Sequence, residues 1–205
     1  MMVKICGLRR PADADAAIGL GATHIGVVLA QDSPRCATRA QAREIADVAR
    51  GAAKVVLVFR SETDGVIRAA CDAVGVARLQ VHGAERSRCE ELAAAGLLPT
   101  QVVRVEPKAT SLPEFAEPPT ELVPALLDGG AGGAGQSFSW ALLGPRAPHA
   151  VFVAGGIGPA NVGRLLQYQP WGIDVSSGIE LEPGVKDPVL MSELFYVLRT
   201  AGVMR

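Results

Sequence analysis

The stretch AVFVAGGIGPANVGRLLQYQPWGIDVSSG, residues 150–178, decides the fold class. A short apolar run, Ala150–Val153, leads through glycines into a segment of helical period, Pro159–Tyr168, and a second short run, Gly172–Val175, follows. Both short runs read as near-continuous apolar stretches rather than as an alternation, which is typical of strands buried on both faces of a parallel sheet. The stretch therefore predicts a strand–helix–strand unit whose two strands are parallel.

The same alternation recurs along the rest of the chain. Six more apolar runs predict strands, at Val3–Cys6, His24–Leu29, Lys54–Phe59, Ala77–Val81, Gln101–Val105 and Leu122–Leu127. Further helical segments are predicted at Pro11–Gly19, Arg39–Arg50, Thr63–Val74, Ser87–Ala95, Phe138–Leu143 and Pro188–Thr200. A Pro-rich stretch, Leu112–Pro119, stands where the fifth helix is expected.

Strand followed by helix, repeated eight times, predicts an α/β fold of the (β/α)8 TIM-barrel type. We expect one domain over residues 1–205 with a degenerate fifth helix, at about 26 residues per unit, which is near the lower size limit of this fold. A doubly wound open sheet is the alternative because periodicity does not report closure. Eight successive units favour the barrel.

Composition and charge exclude several function classes. The formal net charge is -1 and aromatic residues make up 4%, so neither a basic patch nor a set of stacking platforms points to nucleic acid. No run approaches the roughly 18 apolar residues of a membrane span, and the first residues lack the features of a secretory leader. The four cysteines show no metal-ligand or disulfide spacing. We therefore expect a cytoplasmic protein without a metal site and without nucleic-acid or membrane partners.

Two glycine-rich segments follow the last two predicted strands. The first contains Gly155 and Gly156, and the second contains Ser176, Ser177 and Gly178. A single Gly-Gly pair is most often a tight turn. Two such segments at the ends of strands seven and eight favour a phosphate site, because barrels often bind phosphate there and glycines let backbone N–H groups approach an anion.

Titratable residues stand at other strand ends. Cys6 ends the first strand and Asp128 the sixth, where a thiolate and a carboxylic acid could perform acid/base chemistry. Each taken alone is more often an inert buried cysteine or a turn residue. Arg35, in the loop after strand two, is either a carboxylate contact or a solvated surface arginine. His82 ends strand four; its ordinary interpretation is a partly buried histidine, and it is kept as a substrate-binding candidate.

At these residues the sequence resembles the phosphoribosylanthranilate isomerase family over essentially its whole length. The resemblance is carried by short segments in a specific order: Val3–Gly7, Gln80–Gly83, Leu126–Asp128, Gly132–Gly135, Phe138–Trp140, Ala154–Ile157, Asn161–Val162, Asp174–Glu180, Pro183–Gly184 and Lys186–Asp187. It implies that Cys6 is the catalytic base, Asp128 the general acid and Arg35 the contact for the anthranilate carboxylate. It also implies substrate contacts from His82 and Asp174 and phosphate contacts from the loops at Gly155–Gly156 and Ser176–Gly178.

The activity that the resemblance implies is an Amadori rearrangement in tryptophan biosynthesis, without a cofactor. A small phosphorylated substrate, N-(5-phosphoribosyl)anthranilate, would become 1-(2-carboxyphenylamino)-1-deoxyribulose 5-phosphate, in a monomer or a homodimer. The site would have to keep a proton on Asp128 and remove one from Cys6. Two alternatives stay open: a non-catalytic phosphate-binding barrel, and a relative of indole-glycerol-phosphate synthase, which would need a Lys and Glu pair at strand ends.

The sequence departs from the family pattern at three places, which bear on substrate affinity or loop order. Thr or Ser is usual where Ala134 stands, Asp where Ser139 stands, and aromatic residues where Leu29–Ala30 stand.

Overall fold

Eight short parallel strands pair in sequence order and close into a barrel in the computed structural model. The structure describes residues 1–115, 118–130 and 138–204. The strands are β1 Met2–Cys6, β2 His24–Val28, β3 Lys54–Phe59, β4 Arg78–Val81, β5 Leu98–Arg104, β6 Ala125–Asp128, β7 Val151–Ala154 and β8 Gly172–Val175. Closure runs between β1 and β8, where Met2 lies opposite Gly172 and Ile5 opposite Val175. The predicted barrel is confirmed, and the open sheet is excluded.

Helices pack outside the barrel and carry the start and stop signals of the sequence. They are α1 Pro11–Leu20, α2 Arg39–Ala49, α3 Asp64–Val74, α4 Arg86–Ala94, α5 Pro159–Leu165 and α6 Pro188–Thr200. Thr38 begins α2 in a capping box, in which its hydroxyl accepts from the Gln41 N–H at 3.1 Å and the Gln41 side chain accepts from the Thr38 N–H at 2.8 Å. Left-handed Gly21 and Gly75 end α1 and α3.

Two of the eight units lack a full helix among the residues that the structure describes. Between β5 and β6 the described residues contain no helix, as expected for a degenerate fifth helix. After β6 the predicted helix Phe138–Leu143 is reduced to a single 3-10 turn, Trp140–Leu143. The strand β6 also starts later than the predicted Leu122. Pro124 has no N–H to give to a strand ladder, and Leu122 is turned outward, with 56% of its surface exposed.

Side chains alternate between the outer and inner faces of each strand, which places polar residues inside the barrel. Val3 and Ile5 of β1 face the main hydrophobic core, while Lys4 reaches across the interior to β4 and β8. The sequence pattern of near-continuous apolar strands hides this inward polar layer.

A small hairpin follows β8 and contacts Asp13 of α1 and Arg35 in the loop after β2. It is formed by β9 Glu180–Glu182 and β10 Val185–Lys186, after a 3-10 turn at Ser177–Ile179. The side chains of Glu180 and Lys186 are 4% and 1% exposed. In the described part of the chain, no helix has the length and apolar character needed to cross a bilayer.

Candidate active site

An open cleft lies at the carboxyl ends of the strands, where TIM barrels hold their active sites. Nine of the ten residues singled out from the sequence line it: Cys6, Arg35, His82, Asp128, Gly155, Gly156, Asp174, Ser176 and Ser177. The tenth, Gly178, does not line it. The other lining residues are Val28, Ser33, Val58, Arg60, Gln80, Ala154 and Ile157.

The two glycine loops approach each other closely. Gly155 and Gly156 adopt φ of 101° and 62°, a region that side chains disfavour. Asn161 holds this loop, since its Oδ1 accepts from the Gly158 N–H at 2.9 Å and its Nδ2 donates to the Gly156 carbonyl at 2.7 Å. A Cβ on Gly178 would fall 2.0 Å from the Ile157 carbonyl oxygen. Gly178 therefore allows the backbones of the two loops to pack directly together.

Cys6 lies at the end of β1, buried against an inward-facing apolar cluster with Val28, Ala30 and Val58. Its thiol occupies space that a side chain on Gly26 would take, because a Cβ there would lie 2.6 Å from Sγ. Burial raises the pKa of the Cys6 thiol above its ordinary value, although the charge of Lys4 opposes the rise. This direction is opposite to the one expected from the sequence, so the free protein holds Cys6 as a thiol.

Asp128 ends β6 with one carboxyl oxygen committed to the backbone. Its Oδ1 accepts from the Gly130 N–H at 3.0 Å, so a proton on this carboxyl group belongs on Oδ2. Burial raises the pKa of Asp128 above its usual value, against the lowering effect of that hydrogen bond. The direction is the one expected for a general acid.

Arg35 comes to the cleft in an ion pair that joins three elements. Its Nη2 lies 2.7 Å and its Nε 3.0 Å from Glu180 Oε2, and Lys186 Nζ lies 2.8 Å from Glu180 Oε1. Burial alone would raise the pKa of Glu180, but the hydrogen bond from Arg35 and the charge of Lys186 outweigh it and lower the pKa. Arg35 is therefore a held, buried arginine rather than a solvated one, with 8% of its surface exposed.

A polar chain that the sequence analysis did not assign runs beneath the cleft. Lys4 Nζ donates to Asp174 Oδ2 at 2.9 Å and to Gln80 Oε1 at 3.2 Å. Gln80 Nε2 lies 2.7 Å from His82 Nε2, and His82 Nδ1 lies 3.9 Å from Asp128 Oδ2. Among the described residues the other oxygen of Asp174, Oδ1, is buried without a hydrogen-bond partner at the cleft wall.

Period-two counting could have found this chain. Lys4 stands two residues before Cys6, and Gln80 two before His82, so each shares the inward face of a proposed site residue. Arg60, which lines the cleft, and Glu180, which contacts Arg35, are different, because only the folded loops bring them to these positions. Within the described ranges, no group of three or more His, Cys, Asp or Glu side chains is placed to hold a metal ion.

Comparison with known proteins agrees with this geometry. A family model for N-(5'phosphoribosyl)anthranilate (PRA) isomerase matches residues 3–197. The N-(5'-phosphoribosyl)anthranilate isomerase of Leptothrix cholodnii is 37% identical over 203 residues, which cover 97% of this chain and 91% of the relative. The crystal structure of phosphoribosyl anthranilate isomerase from Thermus thermophilus has a TM-score of 0.87 at 31% identity, covering 98% of this chain and 100% of that chain.

Two further solved structures are informative about ligand and assembly. One holds a phosphoribosyl anthranilate isomerase in complex with reduced 1-(o-carboxyphenylamino)-1-deoxyribulose 5-phosphate, and its TM-score is 0.78 at 26% identity. The other shows monomers generated from the dimeric enzyme of Thermotoga maritima, with the same TM-score and identity. Both comparisons cover 98% of this chain and 99% of the other.

The closed barrel and the position of its cleft place the chain among the TIM-barrel enzymes. Within that class, it belongs to the N-(5'-phosphoribosyl)anthranilate isomerase family and is an isomerase of tryptophan biosynthesis. The resemblance noted in the sequence is confirmed, and both alternatives to it are excluded.

Proposed function

We propose that Cys6 and Asp128 are the base and the acid with which this isomerase converts N-(5'-phosphoribosyl)anthranilate into 1-(2-carboxyphenylamino)-1-deoxyribulose 5-phosphate. The observation that carries the proposal is that both groups line one cleft together with the two glycine loops. An acid and a base in a single site with a phosphate anchor suit proton transfers on a sugar phosphate.

The reaction divides into two proton transfers. Asp128 donates the proton on Oδ2 to the ribose ring oxygen, the C1–O bond breaks, and the nitrogen lone pair forms a protonated Schiff base. Cys6 as thiolate then takes the proton from C2, the C2–H electrons form the C1=C2 double bond, and the C=N electron pair returns to the nitrogen, which gives an enolamine. Return of a proton to C1 and loss of the C2 hydroxyl proton leave the ketone. The raised pKa of Asp128 suits the first transfer, and the raised pKa of Cys6 makes its thiolate a stronger base once formed.

The thiolate needs help from its neighbours, because burial disfavours it. Lys4 and Lys186 both lower the pKa of Cys6 through their charges, against the effect of burial. Both cations are buried, at 2% and 1% exposure, so water screens their charges weakly. We assign them an electrostatic role in forming the thiolate, in addition to their ion pairs with Asp174 and Glu180.

The ends of the substrate are held by opposite sides of the cleft. Gly155, Gly156, Ser176 and Ser177 offer backbone N–H groups and hydroxyls for the phosphate, while Gly178 lets the two loops meet. Glu180 accepts hydrogen bonds from Nε and Nη2 of Arg35, so Nη1 is the nitrogen that would bind the anthranilate carboxylate. Val28 and Val58 give the aromatic ring an apolar wall. His82 and the unpartnered Oδ1 of Asp174 face the sugar between these anchors.

Three further expectations belong to the same proposal. We propose that residues 1–205 act as one barrel domain, without a cofactor, and that the protein works in the cytoplasm. The family model over residues 3–197 supports the first point. Whether the chain is a monomer or a homodimer stays a prediction.

The three departures from the family pattern lie in different surroundings. Ser139 is exposed at the start of the 3-10 turn, and Leu29–Ala30 are buried. Ala134 and the glycines around it lie outside the described residues.

Steady-state kinetics of three variants test the assignment. Cys6→Ala and Asp128→Asn should each lower kcat by about 10²–10⁴-fold while binding of the reduced product analogue stays within a few-fold, since each removes one proton-transfer group. Arg35→Ala should instead raise KM more than it lowers kcat, because it removes a substrate anchor. Cys89→Ala, on the outer helix α4, is the control for loss of a thiol and should behave as the wild type. A near-normal kcat for Cys6→Ala or Asp128→Asn would refute that residue's role.

A further inference from the structure

The hydrogen-bond chain beneath the cleft has a direction that its chemistry fixes. Lys4 Nζ carries only donors, so at 3.2 Å it can only meet the carbonyl oxygen of Gln80. The amide nitrogen of Gln80 is thereby turned toward His82 Nε2, at 2.7 Å. An amide nitrogen only donates, so His82 Nε2 has to accept.

This direction determines where the proton of His82 lies. An imidazole that accepts at Nε2 is neutral and carries its hydrogen on Nδ1. Nδ1 faces Asp128 Oδ2 at 3.9 Å, the oxygen on which the acid's proton belongs. Lys4 fixes the direction of these hydrogen bonds, because it is buried and held in an ion pair with Asp174 at 2.9 Å.

We propose that Gln80 is a positioning residue that fixes His82 as the neutral Nδ1–H imidazole, so that an uncharged donor and not an imidazolium faces Asp128. The inference rests on the proposed role of Asp128 as the general acid. An imidazolium at this distance would favour the ionised carboxylate and remove the proton that the first step needs. A neutral N–H leaves Asp128 protonated and can still stabilise the carboxylate that forms when the proton is given away.

The charged groups around the pair agree with a neutral imidazole. His82 is surrounded by Lys4 on β1, Arg60 at the end of β3 and Asp128 on β6. Burial, together with the charges of Lys4 and Arg60, lowers the pKa of His82 to about 4. Asp128 also experiences Asp174 on β8 and Arg104 on β5. The two neighbouring cations disfavour a positive charge on the imidazole of His82.

Nitrogen NMR of the imidazole rings tests the tautomer without substrate. The chain has three histidines, so the His82 ring is assigned by its absence in His82→Asn. We expect His82 in the wild-type protein at pH 7 to show a protonated Nδ1 and an unprotonated, hydrogen-bonded Nε2. A proton on Nε2, or an imidazolium, would overturn the inference. This result is independent of Asp128: if Asp128→Asn kept its activity, the proposed function would fail while the tautomer assignment stood.

Gln80→Glu reverses the direction of the hydrogen bond between residue 80 and His82, with little change in the shape of the side chain. A carboxylate at this position accepts from both Lys4 and His82, and its negative charge beside the ring raises the pKa of His82, so His82 should become an imidazolium at pH 7. The Asp128 pKa, followed by carboxyl carbon NMR, should then fall by about one unit or more, and kcat should fall about tenfold with KM within about twofold. If His82 became charged while the Asp128 pKa and kcat stayed unchanged, the coupling would be disproved.

Two further variants separate this effect from charge and from misfolding. Gln167→Glu adds the same charge on an exposed residue and should leave the His82 signals and kcat unchanged. Gln80→Met keeps the side-chain volume but has neither a hydrogen-bond donor nor a charge. If Gln80→Glu does not fold, the His82 tautomer can therefore be measured by NMR in this variant. We expect it to populate the Nε2–H form of His82; an unchanged Nδ1–H form would show that Gln80 does not select the tautomer.

Discussion

A histidine lies at each end of the barrel, and of the two only His82 lines the candidate active site. His24 begins β2 at the amino end, where its Nδ1 lies 2.9 Å from Thr23 Oγ1 and its ring meets Phe152 edge-on at 5.1 Å. His82 follows β4 at the carboxyl end, between Gln80 and Asp128. Burial lowers the pKa of both, to about 3 for His24 and about 4 for His82. A depressed pKa thus indicates only burial. What distinguishes His82 is the chain of hydrogen bonds that leads through Gln80 to its ring and the cleft that the ring lines.

The largest effect on stability should come from removing the buried charge of Lys4, which pairs with Asp174 beneath the carboxyl end of the barrel. Lys4→Met removes the cation between Asp174 and Gln80 and leaves the buried Asp174 carboxylate unpaired, which should lower the free energy of unfolding by about 3–5 kcal/mol. Lys54 begins β3 at the amino end and is exposed, so Lys54→Met should change stability by less than about 0.5 kcal/mol. Urea unfolding of both variants measures the difference. Equal losses would contradict the role given to the buried pair.

A smaller effect should follow from separating the two glycine loops. Gly178→Ala places a methyl group against the Ile157 carbonyl, so the loops must move apart. We expect a loss of about 1–3 kcal/mol in stability together with a raised KM, because the two glycine loops, the proposed phosphate site, no longer meet.

Gly163 provides the matched control. It lies in α5 with no atom within 4 Å of an added Cβ, so Gly163→Ala should leave KM unchanged and stabilise the helix by about 0.4–1 kcal/mol. Thermal unfolding and steady-state kinetics of both variants give the comparison. An unchanged KM in Gly178→Ala would show that close packing of the loops is not needed for binding.

The third effect concerns the amino end alone and is absent at neutral pH, because it depends on the titration of His24. The pKa of His24 is lower in the folded protein than in the unfolded chain, so the unfolded state binds its proton first as the pH falls. The stability contributed by neutral His24 is therefore complete above about pH 6.5 and declines toward about pH 3, with a loss of about 2 kcal/mol by pH 5.

His24→Gln removes this titrating group and should flatten the decline of stability between pH 6.5 and 5, while His82 keeps its own contribution. His149→Gln, at an exposed histidine, is the matched control for the substitution itself. Denaturant unfolding across this pH range compares the two variants with the wild-type protein. The same slope in His24→Gln as in the wild-type protein would mean that His24 is not the group responsible.

Local sequence signals were sufficient for most of the fold. The helices α1 and α2 begin at the predicted Pro11 and Arg39, and α3 ends at the predicted Val74, where a first-turn proline, the Thr38 cap and left-handed Gly75 supply local signals. The signals failed where backbone chemistry outweighed hydrophobic pattern. Pro124 delayed the start of β6, and the predicted helix after β6 shortened to one 3-10 turn. The site candidates were found because parallel strands bring their carboxyl ends to one rim.

The sequence by itself determined eight strand units, the family and the set of residues at the strand ends, because periodicity, turn residues and short motifs are local properties. Only the tertiary structure decided the electrostatics. The ion pair of Arg35 with Glu180 joins residues 145 positions apart, and that of Lys4 with Asp174 joins residues 170 apart. The raised pKa of Cys6 depends on burial among strands distant in sequence. Charge interactions depend on distance and burial, which a linear pattern does not contain.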